Sequence, residues 1–319
     1  LAAGERLNAG HHLYGPLLPV DRLVPGYPGD FPAPLLSPPT IAVVWRLIAL
    51  AGNRGLEAWW LLSVVFMAGL TAWAILRGRR FELAILATIL CLGVPLTIFF
   101  GGSYRVLGQE SPVAFSAWSG NLNSFIAVLF ALTWWASARQ RPWLAGASAA
   151  LATALKVGPA SIFVWFVARR DLRSIRAFII AGALIMVATI AGSSVADLVQ
   201  YLTKVVVGVV APTHLSAAAT VSRYLGVPLD LTRYVNYGVI AFGFGAIVLS
   251  RNRPRLSYLV AMLVTIYSSP AVLTGNFAIL VALAMPWVVP APRSGVPARP
   301  ASPADALASE RSVQPLSVR

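Results

Sequence analysis

Seven apolar runs of 17 to 34 residues, separated by short clusters of arginine, dominate this 319-residue chain. They cover Glu57 to Leu76, Phe81 to Gly101, Asn121 to Ser137, Trp143 to Ala168, Ile175 to Gly192, Tyr234 to Ser250 and Leu256 to Val289. A hydrocarbon core about 30 Å thick is crossed by about 20 apolar residues of helix. Only helices or closed barrels satisfy every backbone N–H and C=O in such a medium, so the pattern predicts an all-α, polytopic integral membrane protein. Composition excludes the alternatives. With 58% hydrophobic and 11% charged residues and a mean hydropathy of +0.74, the chain is neither disordered nor a coiled coil nor a secreted disulfide scaffold. Its single cysteine, Cys91, lies inside an apolar run and reads as a packing residue.

The net charge of +14 reports topology rather than a nucleic-acid partner. Arg77, Arg79 and Arg80 form one cluster, Arg139 and Arg141 a second, Arg169, Arg170, Arg173 and Arg176 a third, and Arg251, Arg253 and Arg255 a fourth. The positive-inside rule makes all four cytoplasmic. Two apolar runs, 143–168 and 256–289, then begin and end beside cytoplasmic loops and must be hairpins. Each carries a breaker at mid-length, Gly158-Pro159 in one and Ser268-Ser269-Pro270 in the other. Counting the hairpin halves gives about nine transmembrane helices. The outer side receives residues 1–56 with a Pro-rich turn and a short helix, a loop around 103–118, and the loop 193–233. It also receives Glu5, Asp21, Asp30, Glu110, Asp197 and Asp230. The transmembrane domain occupies 57–289, and residues 290–319, rich in Pro, Ala, Ser and Arg, are expected to be a disordered cytoplasmic tail. The chain starts at Leu without an apolar leader and reads as a piece of a longer protein.

Lys156 is one of two lysines and the only charge deep in an apolar run. At about 1.5 Å per residue it lies roughly 20 Å from the cytoplasmic face. A charge at that depth marks a functional site by default; the expected role is binding a lipid-linked phosphate, the alternative a purely structural pairing. Asn121 and Asn123, in Ser-Gly-Asn-Leu-Asn-Ser, stand where a helix starts on the outer side, placed either to bind sugar hydroxyls or to cap the helix. His214, Ser216 and Arg223 share the last outer loop, where an arginine suits a phosphate and solvation is the plainer alternative. His11 and His12 are adjacent, without a cysteine or a carboxylate pair, so no metal or other cofactor is expected. Phosphate-loop, dinucleotide and nucleophile-elbow motifs are missing from the sequence, which argues against a nucleotide-driven pump.

Several stretches taken in order resemble glycosyltransferase family 87, polyprenyl-phosphate-mannose-dependent mannosyltransferases of the GT-C superfamily. Gly-Glu-Arg-Leu-Asn-Ala-Gly-His-His-Leu-Tyr (4–14) is similar to the family's first outer loop and Leu-Ser-Pro-Pro-Thr (36–40) to its Tyr-Pro-Pro turn. Gly120-Asn121-Leu122-Asn123 resembles Gly-Gln-x-Asn, and residues 141–159, ending Leu-Lys-Val-Gly-Pro, resemble the Trp-x-Ala-Gly…Lys-x-x-Pro signature. His214-Leu215-Ser216 with Arg223 resembles Asn-Gln-Ser…Arg. The resemblance implies transfer of a sugar, mannose above all, from a polyprenyl-phosphate donor to a lipid or glycan acceptor on the extracytoplasmic face of the cell membrane. It implies donor-phosphate binding by Lys156 and Arg223, and sugar or acceptor contacts from Tyr14, Asn121, Asn123, His214 and Ser216. The family's catalytic aspartate is expected upstream of Leu1, with Asp30 the fallback base. Where the family often carries a Trp and His pair, this chain reads Ala-Val-Leu-Thr-Gly-Asn (271–276). A transporter or flippase of lipid-linked sugars is the rival reading, since it too wants broken helices and an intramembrane lysine.

Overall fold

The computed structural model describes residues 2–14, 37–77, 113, 116–117, 121–206, 221, 224–226, 228, 231–268, 274–283, 285–286 and 289. All regular structure among them is helical. In chain order the elements are α1 (Ala2–Asn8), α2 (Pro39–Leu50), α3 (Gly52–Arg77), α4 (Leu122–Ala138), α5 (Pro142–Leu155) and α6 (Ser161–Ala168). They continue with α7 (Leu172–Gly192), α8 (Val195–Gln200), a π-turn (Tyr201–Val206), α9 (Thr232–Leu249), α10 (Pro254–Tyr267) and a 3-10 stretch (Thr274–Leu283). Proline opens α2, α5 and α10, at the position where its missing N–H costs nothing. Asp171 caps α7 by accepting from the Ser174 N–H at 3.1 Å and the Ser174 hydroxyl at 2.7 Å.

Helix directions follow from named contacts. Gly146, near the start of α5, lies against Ser174, Ala177 and Phe178 at the start of α7. These two helices therefore run parallel, and α6 between them must turn back. The run 143–168 is thus a hairpin with its apex at residues 156–160, where Lys156 is extended (φ −158°, ψ 129°) and Gly158–Ala160 makes one 3-10 turn. The chain reverses again between α10 and the 3-10 stretch: α10 runs antiparallel to α6, and the chain then runs beside α4, with Asn276 next to Asn123 and Val289 next to Trp134. Two turns at the hairpins' base, Arg139-Gln140-Arg141 and Arg169-Arg170-Asp171, close in the same way. Gln140 (φ 55°) and Arg170 (φ 56°) take the left-handed conformation, while the Arg141 and Asp171 N–H groups reach back to Ala136 and Phe166.

The arginine clusters that lie within the described residues consequently share one end of the bundle. The core above them is aromatic: Trp134, Trp165 and Tyr258 are fully buried with ring centroids 4.9–5.9 Å apart. Their polar atoms are satisfied, the Tyr258 hydroxyl donating to the Phe130 carbonyl at 2.6 Å and the Trp165 indole N–H to the Ser257 hydroxyl at 3.0 Å. At the opposite end α1, α2 and α8 form a cap. Arg46 there donates to the Gly192 carbonyl at 2.7 Å, a cation on the C-terminus of α7.

Two helices, Gly52–Arg77 and Leu172–Gly192, are long and apolar enough to cross a membrane alone; six more are apolar but have 10–17 residues. The expected count of about nine treats each hairpin half as a crossing. The fourteen residues of α5 alone span about 21 Å of a core about 30 Å thick. The segment Phe81 to Gly101 and the tail 290–319 lie outside the described residues. The first long helix also begins five residues before the apolar run, because Gly52, at φ 56°, re-aims the chain after α2 and starts it there.

A side chain at Gly146 has nowhere to go, since its Cβ would meet Ala177 Cβ at 2.6 Å and the Phe178 backbone nitrogen at 2.7 Å. Gly146→Val is expected to lose about 1–3 kcal/mol of stability in detergent, read as an earlier thermal unfolding transition. An unchanged transition would mean that α5 and α7 are not packed in parallel.

Candidate functional site

Lys156 sits at the apex of the first hairpin, and the turn geometry explains why it faces inward. Its extended backbone ends α5, its N–H still bonded to the Ala152 carbonyl at 3.1 Å. Gly158 then presses the turn against α10: a Cβ there would lie 2.6 Å from the Thr265 carbonyl oxygen. Ser161, two residues past the breaker proline, donates to the Ala261 carbonyl at 2.7 Å and pairs with the Thr265 hydroxyl at 2.8 Å. These bonds fix the apex on α10.

The ammonium so placed donates to the side-chain oxygens of Asn276 at 3.1 Å and Asn123 at 3.4 Å. The Asn123 amide nitrogen donates in turn to Asn276 Oδ1 at 2.9 Å. Asn123 and Asn276 are buried, at 1% and 3% exposure, and Lys156 is half-buried. No carboxylate pairs with Lys156 among the described residues. Two neutral amides thus orient a full positive charge without neutralising it, and one of its three N–H donors keeps no protein acceptor among those residues. An uncompensated cation in apolar surroundings is stabilised most by an anion of matching size.

Asn123 thus meets the Lys156 ammonium, while Asn121 is the N-cap of α4, its side chain accepting from the Asn123 N–H at 3.1 Å. Tyr14 is elsewhere. It is buried in a small cluster with Leu7, Leu13, Ala42 and Tyr201, its hydroxyl donating to the Ser37 carbonyl at 2.7 Å. Burial foremost, then Tyr201 and Asp197, raises its phenol well above the ordinary range, and burial pushes Tyr201 up to about 12. Neither phenol is a base at neutral pH. Asp30, His214, Ser216 and Arg223 lie outside the described residues.

Two participants escaped the sequence reading. Asn276 stands where the family resemblance led one to look for a tryptophan and a histidine, and its signal was an amide in an otherwise apolar segment just beyond a breaker. Asp197 was one of six outer carboxylates of equal rank. In the fold it is 1% exposed, accepting from the Leu13 N–H at 2.8 Å and the Ser194 hydroxyl at 2.8 Å, with His12 Nδ1 at 3.6 Å. It ties the first outer loop to α8. Among the described residues no three His, Cys, Asp or Glu side chains gather as a metal site.

The model of glycosyltransferase family 87 matches residues 36–290, most of the chain, and spans Asn123, Lys156 and Asn276. The chain belongs to glycosyltransferase family 87. It is a glycosyltransferase, with a sugar donor and an acceptor as its partners, and its apolar helices fit the membrane association of the family. No curated protein and no solved structure was found to match it. In this family 87 chain the stretch Gly4 to Tyr14 precedes the matched residues.

The three polar side chains should be energetically coupled. Asn276→Leu leaves the ammonium short of an acceptor and is expected to cost about 1–3 kcal/mol. The same substitution in a Lys156→Met background should cost clearly less, a coupling that a double-mutant cycle of thermal stabilities measures. Additive effects would dissolve the triad into three independent residues.

Proposed function

We propose that this glycosyltransferase uses a polyprenyl-phosphate sugar as donor, mannose being the sugar that the resemblance favours, and delivers it to a lipid or glycan acceptor on the extracytoplasmic side. The single observation that carries the reading is Lys156: an ammonium held by two amides and by no described carboxylate, at the end of the bundle opposite the arginines. The positive-inside rule puts the arginine end in the cytoplasm, so the apex faces the outer leaflet of a multi-pass cell-membrane protein. The headgroup of an extracytoplasmic lipid-linked donor lies on that side of the bilayer, toward which the apex points.

Chemically, the acceptor hydroxyl attacks the anomeric carbon as the bond from that carbon to the phosphate oxygen breaks, inverting the configuration. The acceptor proton passes to a carboxylate, for which Asp30 is this chain's candidate. Negative charge grows on the departing polyprenyl phosphate, and the Lys156 ammonium stabilises it where it develops. Arg223 is the second candidate for that phosphate. His214, Ser216 and Asn123 are candidates for sugar or acceptor hydroxyls, whereas the Tyr14 hydroxyl and the Asn121 carbonyl oxygen already have internal partners. The reaction as written draws on no metal.

Membranes carrying the protein, incubated with radiolabelled polyprenyl-phosphate mannose, should convert label into a new lipid or glycan product. Lys156→Met should lower that rate by about 10²–10³-fold while the protein still purifies folded. Undiminished turnover in the variant would remove Lys156 from the site. Label that crosses a sealed vesicle without forming a product would identify a flippase instead.

A further inference from the structure

Away from the hairpin apex, α3 and α4 line an open groove of about 660 Å³. Phe66, Leu70 and Trp73 form one wall, Leu132 and Trp135 the other, and Met285 the floor. Its lower mouth is cationic. Arg77 and Arg139 both line it and both are exposed, and Arg141 stacks on the Trp135 ring with its guanidinium carbon 5.3 Å from the centroid. Among the described residues no carboxylate lines it.

From Val65 to Arg77 the groove follows α3 for about 18 Å at 1.5 Å per residue, close to the depth of one leaflet, about 15 Å, of a hydrocarbon core about 30 Å thick. An apolar channel one leaflet deep, with tryptophans near its mouth and, among the described residues, arginines but no carboxylate at the rim, matches an amphiphile with one anionic head and an extended tail. Basic pockets between helices at the cytoplasmic side take anionic lipid headgroups for this reason. We infer that this groove binds an anionic phospholipid of the leaflet facing the arginine end, its phosphate on Arg77 and Arg139 and an acyl chain against Phe66, Trp73, Leu132 and Trp135. The site is separate from the Lys156 apex and does not rest on the reading of that apex.

Gly69 supplies a clean test, because it lines the groove and a Cβ there meets nothing within 4 Å. Gly69→Leu fills the channel without straining α3. The full chain, purified in detergent, is titrated with phosphatidylglycerol or phosphatidylcholine and read by native mass spectrometry. Phosphatidylglycerol should be retained in preference to phosphatidylcholine. The double variant Arg77→Gln with Arg139→Gln should retain it about thirtyfold less well, and Gly69→Leu should also lose it, with lipid-free melting temperatures no lower than that of the parent. Equal retention of the two lipids, or parental retention by either variant, overturns the inference. So does ready disulfide formation between Gly69→Cys and the native Cys91, which would show the groove filled by the chain's own segment.

Discussion

An ammonium in an apolar hairpin must be solvated by something, and the fold of this chain is arranged around that requirement. A carboxylate partner would cancel the charge, and none of the described ones reaches it. Asn123 and Asn276 supply oxygens while leaving the positive charge intact. Each arrives from a different element, Asn123 from the first turn of α4 and Asn276 from the 3-10 stretch beyond the second breaker. The charge thereby ties both hairpins and α4 together at one level of the bundle.

That level is set by close backbone approach. Gly146 lets α5 and α7 run side by side, and Gly158 lets the hairpin apex rest on the Thr265 carbonyl. Below, the Trp134, Trp165 and Tyr258 rings lock α4, α6 and α10, with every indole and phenol donor placed on an oxygen. Above, Asp197 and Arg46 clamp the outer segments onto the end of α7. The bundle therefore carries the Lys156–Asn123–Asn276 cluster toward one end and arginines at the other.

Much of this was legible from residue order. Breakers at 158–159 and 268–270 between basic loops imply hairpins, and the helix directions agree with that pairing. Lys156 announced itself because a lone charge in an apolar run has few explanations. Asn123 was legible as an amide at a helix start, but its twin Asn121 read the same, and only the backbone direction separates the cap from the ligand. Asn276 was hidden, since its partners stand 153 and 120 residues away and an isolated asparagine carries no local pattern. Asp197 was hidden for the same reason: its bond to Leu13 spans 184 residues. An outer-loop tyrosine such as Tyr14 suits a sugar and a packed core equally well in sequence, and its packing with Leu13 and Tyr201 becomes visible only in the fold. The number of spans is less legible, because periodicity marks where a helix is apolar, not how far it reaches.

On the proposed function, Lys156 adds a phosphate to the two amides that hold its ammonium. An electron cryomicroscopy structure of the protein in nanodiscs with polyprenyl phosphate tests it most directly. The account predicts phosphate density within about 3 Å of Lys156 Nζ, with Asn276 still orienting the ammonium from behind. A phosphate bound elsewhere, with Lys156 enclosed by its two asparagines as before, would contradict it.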